Sequence, residues 1–146
     1  MRVSNILFAV TAILFANSPA AAREWRVDMV NRGANGSMDF TPAFLKIAPG
    51  DTVRFVAKDK THNVESIRNM MPAGASPFQG AINQDVTVKF SRAGLYGYKC
   101  LPHTAMGMVG LIQVGSAVNR PAIVANLGSL PPLARARMTK FLQLAK

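Results

Sequence analysis

Along residues 24–30, Trp25, Val27 and Met29 alternate with Arg26 and Asp28, the two-residue period of a strand buried on one face. Residues 31–36 replace that alternation with asparagine, glycine and alanine, which predicts a loop. A second extended stretch runs from Met38 through Phe44, Leu45 and Ile47 to Pro49-Gly50, where proline presets one turn angle and glycine accepts the positive one. Strand composition resumes at Thr52-Val53-Arg54-Phe55-Val56. After a charged connection at residues 58–61 the alternation returns over residues 62–67. Residues 69–84 carry Met70, Met71, Pro72, Gly74, Pro77 and Gly80 and follow neither period. They predict a long irregular excursion whose methionines are packing residues.

Val86, Val88 and Phe90 share one face of a further strand, residues 91–94 turn the chain, and residues 95–100 and 109–114 read as two more strands, the last fully buried. Many short strands with turn signals and no helix between them predict an all-β sandwich of two packed sheets. The tail departs from this pattern. Pro121 to Asn126 followed by Gly128 fits a short helix opened by proline and closed by glycine. From Pro131-Pro132, Leu133, Met138, Phe141, Leu142 and Leu144 alternate with Arg135, Arg137 and Lys140 as an amphipathic helix, which gives two short C-terminal helices over about residues 119–146.

The N-terminus changes the domain count. Arg2, an apolar run over residues 6–15 and the small residues Ala20-Ala21-Ala22 predict a secretory signal peptide over residues 1–22, cleaved after Ala22. Its core is too short to span a bilayer. No arginine pair marks a folded-export route, so a metal would be acquired after translocation. No later apolar run is long enough for membrane insertion. Residues 23–146 then form a single domain of about 124 residues, enough to bury a core. Losing Arg2 takes the formal charge from +10 to +9. A charge of that sign predicts acidic partners reached by electrostatic steering. Nucleic acid is disfavoured, because the basic residues are scattered and form no recognition motif.

The chemistry concentrates in residues 96–108, Y-G-Y-K-C-L-P-H-T-A-M-G-M. This stretch holds the one cysteine, Cys100, and His103, one of two histidines, with Met108 five positions on. His62 supplies the second imidazole from a distant segment. A lone cysteine cannot pair within the chain. Alone it would read as a buried structural thiol. In this company, two imidazoles, a thiolate and a weak axial thioether form the donor set of a blue-copper electron-transfer site, with one copper per chain.

On these residues the chain resembles the cupredoxins, and within them it is similar to the pseudoazurins. The resemblance rests on His62-Asn63-Val64, the Tyr98-to-Met108 clip, the Pro49-Gly50-Asp51 turn with the strand after it, and the two C-terminal helices. Plastocyanins share the C-x-x-H-x-x-x-x-M spacing, and the helical tail and basic charge favour the pseudoazurins. Azurins carry a disulfide that one cysteine cannot make. The resemblance implies a Greek-key sandwich holding copper near one end through His62, Cys100, His103 and Met108. It implies that Asn63 braces the two ligand segments and hydrogen-bonds the Cys100 sulfur through its backbone, and that Met38 packs over the His103 ring. Leu101 and Thr104 occupy variable positions in the clip.

The implied function is a periplasmic, monomeric, non-enzymatic carrier of single electrons between Cu(I) and Cu(II). Its partners would be an upstream cytochrome and a respiratory reductase, typically a copper nitrite reductase in denitrification. The edge of His103 is the expected electron exit, with Pro102, Ala105 and Met106 as an apolar docking patch. Lys60 and Lys99 beside the ligand segments, with Arg32 on a loop, would steer an acidic partner. Two other readings compete. A copper enzyme would need histidines beyond the two present. A copper carrier or storage protein would use Met70, Met71, Met106 and Met108 as exchangeable thioethers and would show no strong colour.

Overall fold

The computed structural model describes residues 21–146, so the expected signal peptide falls outside the described residues except for Ala21 and Ala22. The first four strands in chain order are β1 (Glu24–Gly33), β2 (Gly36–Thr41), β3 (Phe44–Ile47) and β4 (Thr52–Val56). The next four are β5 (Glu65–Ser66), β6 (Val86–Lys89), β7 (Gly94–Lys99) and β8 (Val109–Val114). They form two four-stranded sheets, one ordered β2-β1-β4-β6 and the other β3-β8-β7-β5. β1 with β4 and β3 with β8 are parallel pairs, and the remaining neighbours are antiparallel. The all-β sandwich expected from the alternation is what forms.

Two expected boundaries are corrected. The predicted loop at residues 31–36 is mostly strand, because the β1–β2 ladder continues through Arg32 opposite Ser37 to Gly33 opposite Gly36. Only Ala34 and Asn35 turn the chain, and Gly36, at φ +111°, accepts the left-handed geometry that this reversal needs. The single stretch expected from Met38 to Ile47 is two strands in different sheets. Pro42 falls at the break, where its missing N–H cannot serve a ladder.

The sheets are joined by aromatic packing. Tyr98 of β7 is fully buried, with ring centroids 4.8 Å from Phe40 of β2 and 5.2 Å from Phe55 of β4, both edge-to-face. Such pairs contribute about 0.5–1.5 kcal/mol each beyond the area they bury. Gly110 of β8, opposite Tyr98, makes room for that ring, since a Cβ there would overlap it.

Helices α1 (Arg120–Asn126) and α2 (Pro132–Leu144) follow β8. Ala134, Met138, Phe141 and Leu142 form the buried stripe of α2, at helical spacing. Leu133 and Leu144, expected on that stripe, are instead exposed by 48% and 53%. The helical cover explains why every residue of β8 is buried, so that strand has no polar face to reveal its orientation. Arg120 caps the end of α2 by donating to the Leu142 and Ala145 carbonyls.

At the start of β4, the buried Asp51 carboxylate accepts from the Arg23 N–H (2.9 Å), the Trp25 indole (2.9 Å) and the Ala48 N–H (3.0 Å). These donors, the Arg23 N–H foremost, hold its pKa below the ordinary carboxylate value. A depressed folded-state pKa contributes stability above the unfolded value, and that stability is lost as pH falls through the folded one. In urea unfolding of the metal-free protein, Asp51→Asn is expected to lower the midpoint at neutral pH. The gap to the parent should close as pH falls below about 4. A gap independent of pH would contradict this account.

Candidate metal centre

Three donor atoms from two separate segments meet at one end of the sandwich. His62 lies just before β5 and is fully buried, Cys100 follows β7 and is fully buried, and His103 lies three residues on, half-buried. Their ligand atoms lie within 4.8 Å of one another. Both histidines turn Nδ1 inward. The two Nδ1 atoms are 3.1 Å apart, and Cys100 Sγ is 3.8 Å from that of His62 and 3.5 Å from that of His103. The point equidistant from all three is about 2 Å from each, the length of a metal–nitrogen bond and slightly short of a metal–sulfur bond. The donors therefore fit a single metal ion, and a thiolate with two imidazoles suits copper.

The ligand loop closes on itself. Cys100 N–H donates to Met108 O (3.0 Å) and Met108 N–H to His103 O (3.2 Å), which fixes the two ends of the clip to each other. Between them Thr104–Met106 forms one 3₁₀ turn, ended by Gly107 at φ +87°. The Thr104 hydroxyl donates to the Cys100 carbonyl (2.7 Å). Met108 is fully buried and completes a His-Cys-His-Met arrangement consistent with a type 1 copper site.

Around the donors, the Asn63 side chain ties the two ligand segments to the excursion after β5. Its Oδ1 accepts from Leu101 N–H (2.8 Å) and its Nδ2 donates to Gly80 O (3.2 Å). Asn31 was missed by sequence reading. Its Oδ1 lies 2.9 Å from His62 Nε2, which fixes the proton on that nitrogen and leaves Nδ1 free for a metal. Asp59 in turn accepts the Asn31 N–H (2.7 Å). An asparagine in a turn-rich stretch gave no sequence signal, because its role depends on the strand that carries it past His62. Met38 sits half-buried in β2 at φ +52°.

The expected partner-facing residues divide. Pro102, Ala105 and Met106 are exposed around His103, with Leu101 beside them. Lys60 is exposed, and Arg32, expected on a loop, is an exposed residue of β1. Lys99 is not a free cation: its Nζ lies 3.2 Å from a Glu65 carboxylate oxygen across the β5–β7 pair.

Family comparison agrees with this geometry. The family described as copper binding proteins, plastocyanin/azurin family, matches residues 27–115. The chain is 44% identical over 134 residues to a pseudoazurin of Paracoccus pantotrophus, covering 92% of each chain. It is 47% identical over 111 residues to a pseudoazurin of Methylorubrum extorquens, covering 75% of each. The crystal structure of pseudoazurin from Methylobacterium extorquens superposes with a TM-score of 0.79 at 38% identity, over 83% of this chain and 98% of that one.

Burial raises the Cys100 pKa above that of an ordinary thiol, partly offset by the N–H groups of Asn63 and His103. Burial and then the neighbouring His103 lower the His62 pKa below the ordinary imidazole value. A metal must therefore displace the thiol proton, and apparent affinity rises with pH below the raised thiol pKa. Copper uptake at about pH 8 is expected to release about one proton per copper, read with an indicator in weak buffer. Cys100→Ala should abolish the release, and uptake by the parent without it would contradict the assignment of Cys100.

Proposed function

The chain belongs to the plastocyanin/azurin family of copper-binding proteins and, within it, to the pseudoazurins, which makes it a blue copper electron-transfer protein rather than an enzyme; from that premise we propose that it is a periplasmic carrier of single electrons to an acidic respiratory reductase. Copper nitrite reductase is the acceptor we favour, with a cytochrome upstream, and the carrier acts as a monomer of one domain after loss of residues 1–22. The observation that carries the reading is the triangle of Cys100 Sγ, His62 Nδ1 and His103 Nδ1 around one point at bonding distance. The basic charge and the leader-like N-terminus support the partner and the compartment.

In this proposal His62, Cys100, His103 and Met108 would hold copper, Met108 through its weakly binding thioether, and copper would supply a one-electron couple between Cu(I) and Cu(II). The chain's own work is to keep the donors in place while the charge changes. Asn31 fixes the His62 ring, Asn63 fixes the clip, and the sandwich shuts water away from His62 and Cys100. His103, half-buried between Pro102, Ala105 and Met106, is the electron exit and the centre of the docking patch. Lys60 and Arg32 steer the partner. Lys99 contributes less, because Glu65 neutralises it locally. A storage role is disfavoured by Met70, which is fully buried and packed against Gly97 instead of being available for exchange.

Adding one equivalent of Cu(II) to the protein lacking residues 1–22 is expected to give an intense blue colour that saturates at one copper, bleaches with ascorbate and returns on reoxidation. A pale product, or binding of several coppers, would overturn the carrier reading. With reduced protein as sole donor to a copper nitrite reductase, reversing both Lys60 and Arg32 to glutamate should slow nitrite reduction at low ionic strength and flatten its salt dependence. An unchanged low-salt rate would remove these two residues from the docking surface.

A further inference from the structure

We propose that Arg137 of α2 is a positioning residue for the metal-ligand loop, clamping the peptide that leads into Met108 against the β1–β2 hairpin. By sequence Arg137 is one of several charges on the polar side of an amphipathic helix. In the structure it is half-buried, and its guanidinium is committed to four backbone carbonyls. Nη1 donates to Gly107 O (2.9 Å) and Met38 O (2.9 Å), while Nη2 donates to Asn35 O (2.9 Å) and Ser37 O (3.0 Å). The four N–H bonds on these two nitrogens are thereby used, with carbonyls rather than a carboxylate as their partners. A planar fork can make this set of contacts and a lysine ammonium cannot.

Both sides of the clamp are shaped to receive it. Gly36 and Gly107 have positive φ, and a Cβ on either would crowd the arginine: at 3.3 Å from Nη2 for Gly36, and at 3.1 Å from Nε for Gly107. A Cβ on Gly107 would also come within 2.8 Å of Leu133 Cγ, so the loop lies close against the first turn of α2. The hairpin is braced in its own right, because the fully buried Asp39 carboxylate accepts from the Asn35 N–H (2.9 Å) and the Asn35 side chain (3.2 Å). Arg137 therefore pulls the loop against a rigid edge. That edge belongs to the same β1–β2 unit that carries Asn31, the partner of His62.

The consequence falls on Met108. The Gly107 carbonyl held by Arg137 belongs to the Gly107–Met108 peptide, whose N–H bonds to His103 O inside the loop. That peptide is gripped from inside by the clip and from outside by the arginine. A weakly binding thioether cannot set its own position, so its placement, and through it the redox potential, would depend on such outer contacts. This consequence rests on the copper reading of the site. The clamp itself does not.

The test has one arm without metal and one with it. In the copper-free protein, exchange of the Cys100 and Met108 amides with solvent deuterium is measured by NMR, with the Ile112 amide of β8 as the internal monitor of global stability. Arg137→Gln should accelerate both loop amides about tenfold or more relative to Ile112, the scale of losing charge-assisted hydrogen bonds. Arg137→Lys should fall between the two and carries the test if the glutamine variant does not fold. With copper bound, both variants should keep one copper per chain but show a shifted reduction potential and altered visible bands. Loop amides that change no more than Ile112, with an unshifted potential, would reduce Arg137 to an ordinary structural contact and overturn the proposal. Accelerated loop amides in a protein that never turns blue would overturn the copper reading and uphold the clamp.

Discussion

A thiol and two imidazole nitrogens held 3.1–3.8 Å apart do not form a favourable cluster by themselves. His62 and Cys100 are fully buried and surrender hydration. Without a cation at its centre, the triangle coheres only through the thiol and ring protons its members can share. It is held by contacts made behind it: Asn31 on the far nitrogen of His62, Asn63 on the Leu101 N–H, and the Cys100–Met108 backbone pair that closes the clip. An electron carrier benefits from this arrangement, because ligands restrained from outside have little freedom to rearrange when the charge between them changes.

Those outer contacts require the rest of the fold. Asn31 reaches His62 because β1 runs on to Gly33. Cys100 is placed by β7, whose Tyr98 is locked between Phe40 and Phe55 of the opposite sheet. The C-terminal helices cover the outer face of β7 and β8, and α2 also reaches forward to the ligand loop through Leu133 and Arg137. The tail thus joins the core of the sandwich to its metal end, and the donors stand on a continuous network of packed and hydrogen-bonded elements.

Much of this was legible from the sequence because it depends on local periodicity and short spacing. The alternation at Trp25, Val27 and Met29, the Pro49-Gly50 turn and the Cys100, His103, Met108 spacing are all visible within a few residues of each other. The illegible parts depend on contacts between distant segments. Asn31 and Arg137 lie 31 and 30 residues from their partners His62 and Gly107, and their residue types are unremarkable where they stand. The break at Pro42 was hidden because strand composition on both sides reads as one run, although the two strands belong to different sheets. Leu133 reads as part of the buried stripe by its apolarity, whereas it is the small Ala134 next to it that is buried.

The protein, and not the metal, sets the ligand geometry. Crystal structures of the copper-free, Cu(II) and Cu(I) forms would test it most directly. His62 Nδ1, Cys100 Sγ and His103 Nδ1 should surround one copper in both oxidation states, with Asn31 still on His62 and the three donors displaced by no more than about 0.5 Å among the forms. A histidine that swings away in either state, or a copper-free loop that collapses into a different arrangement, would show instead that the metal builds the site.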